Sequence, residues 1–163
     1  MNKVLYLDFE GTNSKGIREI GFLIAEDGRI TSAVEEKGDK AIDSLYKLQK
    51  IKYKYIVSHN YYVERNLIKK YFPYRIDPKT KRPQEHKWLD SLLVYRTLYP
   101  NLKKYDLKYL VETFLDPQVL DDEISKRCGK KVTTFHHPLF DATCTYLLIL
   151  RLESRISFDR FLR

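Results

Sequence analysis

Residues 3–12 read Lys-Val-Leu-Tyr-Leu-Asp-Phe-Glu-Gly-Thr, and this stretch constrains the chain more than any other. Val4–Leu7 is apolar at every position, the pattern of a strand buried on both faces in the middle of an α/β sheet. Residues i and i+2 share one face of a strand. Asp8 and Glu10 therefore point the same way from the end of that strand. Two carboxylates held so close repel, and each raises the other's pKa unless a cation sits between them. A hard divalent ion such as Mg²⁺ takes oxygen ligands and is the natural counterion. The alternative is an exposed acidic pair at a strand end. The choice depends on whether more acids and a base follow at workable spacings.

The rest of the chain reads as α/β. Ile17–Ala25 is rich in β-branched and apolar residues, Glu26-Asp27-Gly28-Arg29 is a turn signal, and Ile30–Glu35 alternates again. These form a hairpin that extends the first strand's sheet. Apolar residues at 41, 42, 45 and 48 predict a helix over Ala41–Lys50. Tyr53–Ser58 reads as another buried strand and Tyr62–Phe72 as a helix stopped by Pro73. Residues 73–87 hold three prolines and several cations, a loop with Lys79, Lys81, Arg82 and Lys87 as candidate phosphate contacts. Trp88–Leu89 is a brief last strand. Asp90 or Ser91 then caps a helix through Leu98, and Asp106–Phe114 and Asp121–Cys128 are further helices. Pro138 suits a first helical turn and opens a long apolar helix through Leu152. The order predicts a mixed sheet, an antiparallel hairpin in front and parallel crossovers behind, flanked by helices.

At 163 residues the simplest organisation is a single domain, 1–163. A composition of 43% hydrophobic and 32% charged residues suits a folded protein. No apolar run reaches the roughly 18 residues of a membrane span, and Lys3 precedes a run too short for a signal peptide. Two cysteines, Cys128 and Cys144, make neither a CxxC pair nor a disulfide framework. The expected setting is reducing and cytoplasmic. A formal charge of +8 favours a polyanionic partner, since Lys and Arg neutralise phosphates and release their counterions. The 13 tyrosines and 8 phenylalanines offer stacking surfaces for bases as well as core.

Two later stretches line up with the opening one. His59-Asn60-Tyr61-Tyr62-Val63-Glu64 puts a polar pair at a strand end and an acid in the first turn of the next helix. His136-His137-Pro138-Leu139-Phe140-Asp141 puts two histidines before a helix and an acid on it. Both lie where strand ends meet helix starts, the usual position of an open α/β site.

With Asp8-Phe9-Glu10 these motifs resemble the DEDDh family of 3′–5′ exonucleases, which contains replicase proofreading subunits, RNase T and oligoribonuclease. The family carries Asp-x-Glu on its first strand, His-Asn-x-x-x-Asp before its middle helix and His-x-x-x-x-Asp at its last. Asp90-Ser-Leu-Leu and Tyr105-Asp-Leu-Lys-Tyr-Leu match the intervening stretch, so the resemblance spans essentially the whole chain. It implies a ribonuclease H-like fold and cleavage of phosphodiester bonds at single-stranded DNA or RNA 3′ ends, releasing nucleoside monophosphates. It further implies two Mg²⁺ or Mn²⁺ ions held by Asp8, Glu10, Glu64 and Asp141, with Asp8 bridging both. An imidazole is a suitable base for the attacking water. His136 has the family's spacing to Asp141, and His137 has that of a Tyr-type branch and is the rival. Phe9, Gly11 and Thr12 are the implied substrate-binding residues, and His59 and Asn60 position the strand end or the substrate. A protein partner (replicase or other nucleic-acid machinery) or a homodimer is compatible with the family.

Two positions depart from the pattern. Glu64 stands where the family has Asp. Its extra methylene either reaches the second ion, directly or through water, or displaces it; otherwise Glu64 is an ordinary acid favoured by the helix dipole. Gly11 stands where many members carry Thr. Thr12 remains to bond the terminal nucleotide, and it is Glu64 that sustains an alternative, a catalytically weakened nucleic-acid-binding module or partner subunit of the same fold.

Overall fold

The structure, a computed structural model, describes residues 2–71, 86–129 and 134–163. Five strands form one mixed sheet: β1 (Lys3–Thr12), β2 (Gly16–Glu26), β3 (Arg29–Lys37), β4 (Tyr55–Ser58) and β5 (Trp88–Asp90). Their order is β3-β2-β1-β4-β5. The first three are antiparallel neighbours, while β4 and β5 run parallel to β1. Among the described residues six α-helices flank the sheet: α1 (Asp39–Leu48), α2 (Tyr62–Tyr71), α3 (Ser91–Leu98), α4 (Leu107–Phe114), α5 (Pro117–Cys128) and α6 (Pro138–Glu153). This is the ribonuclease H-like arrangement. Lys79, Lys81 and Arg82 of the basic loop lie outside the described residues, and Lys87 is exposed.

β1 is central, and its apolar run divides between two cores. Val4 and Tyr6 pack with Leu23, Val57 and Leu89 against the face covered by α6, and Leu5 and Leu7 pack with Ile20, Phe22 and Ile56 on the other. α6 is buried nearly all round, and Leu148 and Ile149 have no exposed surface. Truncating such a residue to Ala costs about 2–5 kcal/mol, so α6 is a strong anchor for whatever its first turn carries. Tyr95 on α3 donates its hydroxyl to the Leu148 carbonyl at 2.9 Å, which satisfies a buried polar group and pins two helices together.

Local signals set the starts of α3, α4 and α5. Asp90, Asp106 and Asp116 each accept a backbone N–H in the first turn of α3, α4 and α5. α5 starts at Pro117, earlier than the expected Asp121, because Asp116 and Pro117 make a cap followed by a first-turn proline. β4 is shorter than expected, with Tyr53 buried in the core but preceding the strand. The outer edge of β5 is closed by the chain's last residues, Trp88 and Arg163 exchanging backbone hydrogen bonds of 2.8 and 2.9 Å. None of the described helices is long and apolar enough to cross a membrane, and Cys128 and Cys144 are free thiols.

Candidate active site

Asp8 and Glu10 continue the face of β1 that Val4 and Tyr6 turn toward α6. Across the sheet Asp8 pairs with Gly21, and Gly21 with Glu35, so the three form a row. Gly21 leaves a gap in that row, and α6 begins in it. A Cβ on Gly21 would collide with the Leu139 nitrogen and the Pro138 carbonyl carbon, closer than non-bonded atoms approach. The helix start thus rests directly on the sheet, and Asp141 in its first turn stands over the end of β1. Glu35 completes the row: its Oε2 accepts the Leu139 N–H at 3.1 Å. It caps α6 from a neighbouring strand, where His137 at the cap position makes no side-chain bond.

Glu10, His136 and Asp141 each offer a ligand atom, all within 4.8 Å of one another. His136 has φ of 70°, the left-handed region, and this bend lets its backbone N–H donate to Asp141 Oδ2 at 3.1 Å. Glu64, in the first turn of α2, is only 2% exposed. Burial holds the Asp8 carboxyl well above its usual range, and the Glu64, Asp141 and Glu10 carboxylates push it further. Burial likewise raises Glu64 to about 8, with Asp90 and Glu10 adding to the rise against its own backbone N–H and the Ser58 hydroxyl. Asp141 is raised to about 6, chiefly by burial, with the His136 N–H and ring opposing. The nearby guanidinium of Arg18 is 3.7 Å from Glu10 but largely exposed, so it offsets little of this repulsion.

Buried polar oxygens normally have partners. Among the described residues Glu64 Oε2 and Asp141 Oδ1 have none. Carboxyl groups crowded together, desolvated and left with unpartnered oxygens are the donor set a hard divalent cation takes. Among the described residues the ligand atoms that gather within 4.8 Å are those of Glu10, His136 and Asp141; Asp8 and Glu64 stand outside that group and feel its acids electrostatically.

The other residues singled out in the sequence fall elsewhere. His59 is a structural tie: its Nε2–H donates to the Tyr105 carbonyl and its Nδ1 accepts from the Ser91 hydroxyl, both at 2.8 Å. Burial lowers its pKa, which favours that neutral form. Asn60, at φ 65°, donates its N–H to Asp90 Oδ1 at 2.9 Å. Phe9 is buried in the core opposite Asp8. Gly11 follows Glu10 at a bulge where a Cβ would clash with the Gly16 carbonyl oxygen. The Thr12 hydroxyl lies in the hairpin turn, accepting the Lys15 N–H at 3.1 Å. His137 is half-buried, and its Nδ1 lacks a partner among the described residues.

Three contributors escaped the sequence reading. Gly21 carried a hint, since a glycine inside an apolar strand often marks a close backbone approach. Glu35 carried none. Asp90 was legible as a cap, but not as the anchor of Asn60 or the neighbour of Glu64.

No protein-family model matches the sequence, and no curated protein does. Among solved structures, Exonuclease X in complex with 5′ overhanging duplex DNA is similar over 99% of this chain and 97% of that one, with a TM-score of 0.64 and 16% identity. At that identity the likeness is one of architecture: the chain has the ribonuclease H-like fold on which that exonuclease is built.

Proposed function

We propose that this chain is a metal-dependent 3′–5′ exonuclease that hydrolyses phosphodiester bonds at single-stranded nucleic-acid 3′ ends and releases nucleoside monophosphates. The observation that carries this reading is the acid cluster at the end of β1, with an imidazole beside it and two buried oxygens lacking partners, in a fold shared with an exonuclease. Asp8, Glu10, Glu64 and Asp141 would hold two Mg²⁺ or Mn²⁺ ions, which when bound lower the pKa of water and neutralise charge on the phosphoryl group and leaving oxygen.

The chain's own residues position and exchange protons. His136 stands at the exposed rim of the cluster, where its imidazole takes the proton of the attacking water. Its backbone bond to Asp141 holds ring and acid in register. His59 and Asn60 fix the end of β4 through Ser91, Tyr105 and Asp90, and thereby the start of α2 that carries Glu64. The excess of Lys and Arg draws the phosphate backbone toward the protein.

Matched DNA and RNA oligonucleotides, labelled at the 5′ end, test this in Mg²⁺, Mn²⁺ and EDTA. The expected result is stepwise shortening that needs metal and a free 3′ end. Asp8→Ala and Asp141→Ala should each abolish it while part of the single-strand binding survives. Substantial turnover by either variant would sink the assignment. A second reading, the weakened binding module, is favoured by one observation: Glu64 is longer than the family's Asp and is held protonated to about pH 8. Metal-independent binding without shortening would select it.

A further inference from the structure

The end of the sheet remote from the acids carries a concavity of about 320 Å³. It opens between the first residues of β1 and β4, the β2–β3 turn and the last turns of α6, with Val4, Ala25 and Leu150 as apolar wall. Tyr6, Tyr55 and Tyr146 line it. Their side chains are almost wholly buried, at most 7% exposed, yet none of their hydroxyls finds a hydrogen-bond partner among the described residues or is sealed from the surface. The Tyr6 and Tyr146 rings meet edge-on with centroids 5.2 Å apart. Burial raises the Tyr6 pKa, and Tyr55, Glu153 and Tyr146 add to it, so these phenols and the Glu153 carboxylate are gathered closely. Lys54 closes one side, its Nζ 5.6 Å from the Tyr55 ring centroid. It also lines an adjoining concavity with Lys3 and Lys52. Lys3 is paired with Glu26 at 3.7 Å, which leaves Lys52 and Lys54 as the exposed cations there among the described residues.

We propose that this is a binding site for a nucleoside phosphate, with base and sugar in the tyrosine-lined cavity and the phosphate on Lys54 and Lys52. The volume lies at the lower end of ligand pockets and suits one nucleoside. A base has π-faces for tyrosine rings, and its edge carries donors and acceptors that match phenol hydroxyls and a carboxylate. Asp27 and Glu153 in the wall repel a phosphate from the cavity itself and direct it to the lysine side. The segment that builds the rim, Lys50-Ile51-Lys52-Tyr53-Lys54-Tyr55, alternates cations with apolar and aromatic residues, the mixture that grips single strands. The site is separate from the acid cluster: Val4 to Asp8 spans about 13 Å of strand, and Asp141 to Glu153 about 18 Å of helix. It does not rest on the nuclease reading, because none of those acids takes part. The same chemistry serves a free mononucleotide or one unit of a nucleic-acid strand.

Titration in EDTA with adenosine 5′-monophosphate, adenosine, inorganic phosphate and a six-nucleotide single strand tests it, followed by calorimetry. Combined Tyr55→Phe and Tyr146→Phe deletes hydroxyls that have no partner among the described residues while keeping both rings, so the fold persists; a thermal melt checks this. The monophosphate or the hexamer should bind the parent, and this variant should bind about tenfold more weakly. Lys54→Gln should weaken the monophosphate and the hexamer by about tenfold but leave adenosine unchanged. Binding of the monophosphate identifies a free nucleotide as ligand, and binding of the hexamer alone identifies a strand; either supports the site. If no probe binds, or if both variants bind every probe as the parent does, the site is overturned.

Discussion

Replacing Glu64 by Gln separates the two demands made on that side chain. In the folded protein its carboxyl is raised from 4.5 to about 8, chiefly by burial. A folded-state pKa above the unfolded one means that the native state binds the proton more tightly. The resulting stability is fully present below pH 4.5 and is lost as pH rises through about 8. At about 1.4 kcal/mol per tenfold in proton affinity, that interval sets a ceiling of about 5 kcal/mol. Each kcal/mol is worth roughly 2–4 °C in a domain of this size, so the metal-free parent should melt on the order of 10 °C lower at pH 8.5 than at pH 5. Asp141, raised to about 6, acts in the same direction over its own lower range.

A Gln side chain mimics the protonated acid and never ionises. In EDTA at pH 8.5, Glu64→Gln should therefore melt higher than the parent, and its pH profile should be flatter. Mn²⁺ should reverse the order. A ligand at 100 times its Kd stabilises by about 2.7 kcal/mol, and an amide is a much poorer ligand than a carboxylate for a hard cation, so the parent should gain more. Thermal melts by circular dichroism over pH 5–9, in EDTA and in Mn²⁺, read both effects. If the variant is no more stable than the parent in EDTA at pH 8.5, Glu64 is not held under charge stress. If both gain equally from Mn²⁺, Glu64 is not a ligand.

Under turnover conditions His136→Ala should lose about 10²–10⁴ in rate, as expected for a general base, and His137→Ala less. A larger loss at His137 in the same oligonucleotide assay would reverse the assignment. Glu64→Asp should keep or raise activity, since moving a carboxylate by roughly 1 Å can change rate about 10²-fold; a dead variant would mean that the longer side chain is required. Gly21→Ala should cost at least about 1–3 kcal/mol and lower activity together with stability, because its methyl meets backbone at Leu139 and Pro138 rather than a side chain that can move. A denaturant melt unchanged from the parent's would show that α6 does not rest on that glycine.

Much of the site was legible because its information is local. The period of two along β1 aims Asp8 and Glu10 the same way, and Asp90 caps α3 within its own first turn. Spacing in the chain likewise brings His136 to Asp141 across one helix start. Periodicity says which residues share a face, but not what covers it. That α6 descends onto β2 at Gly21 and is capped by Glu35, 104 residues before Leu139 in the chain, is a fact of tertiary packing. The motif of His59 left open whether it positions the strand end or the substrate, and only the meeting of β4 with α3 and the approach to α4 tie its ring to Ser91 and Tyr105. The raised pKa values of Asp8, Glu64 and Asp141 belong to the same class. A sequence places acids in order, but desolvation arises only when distant elements close around them.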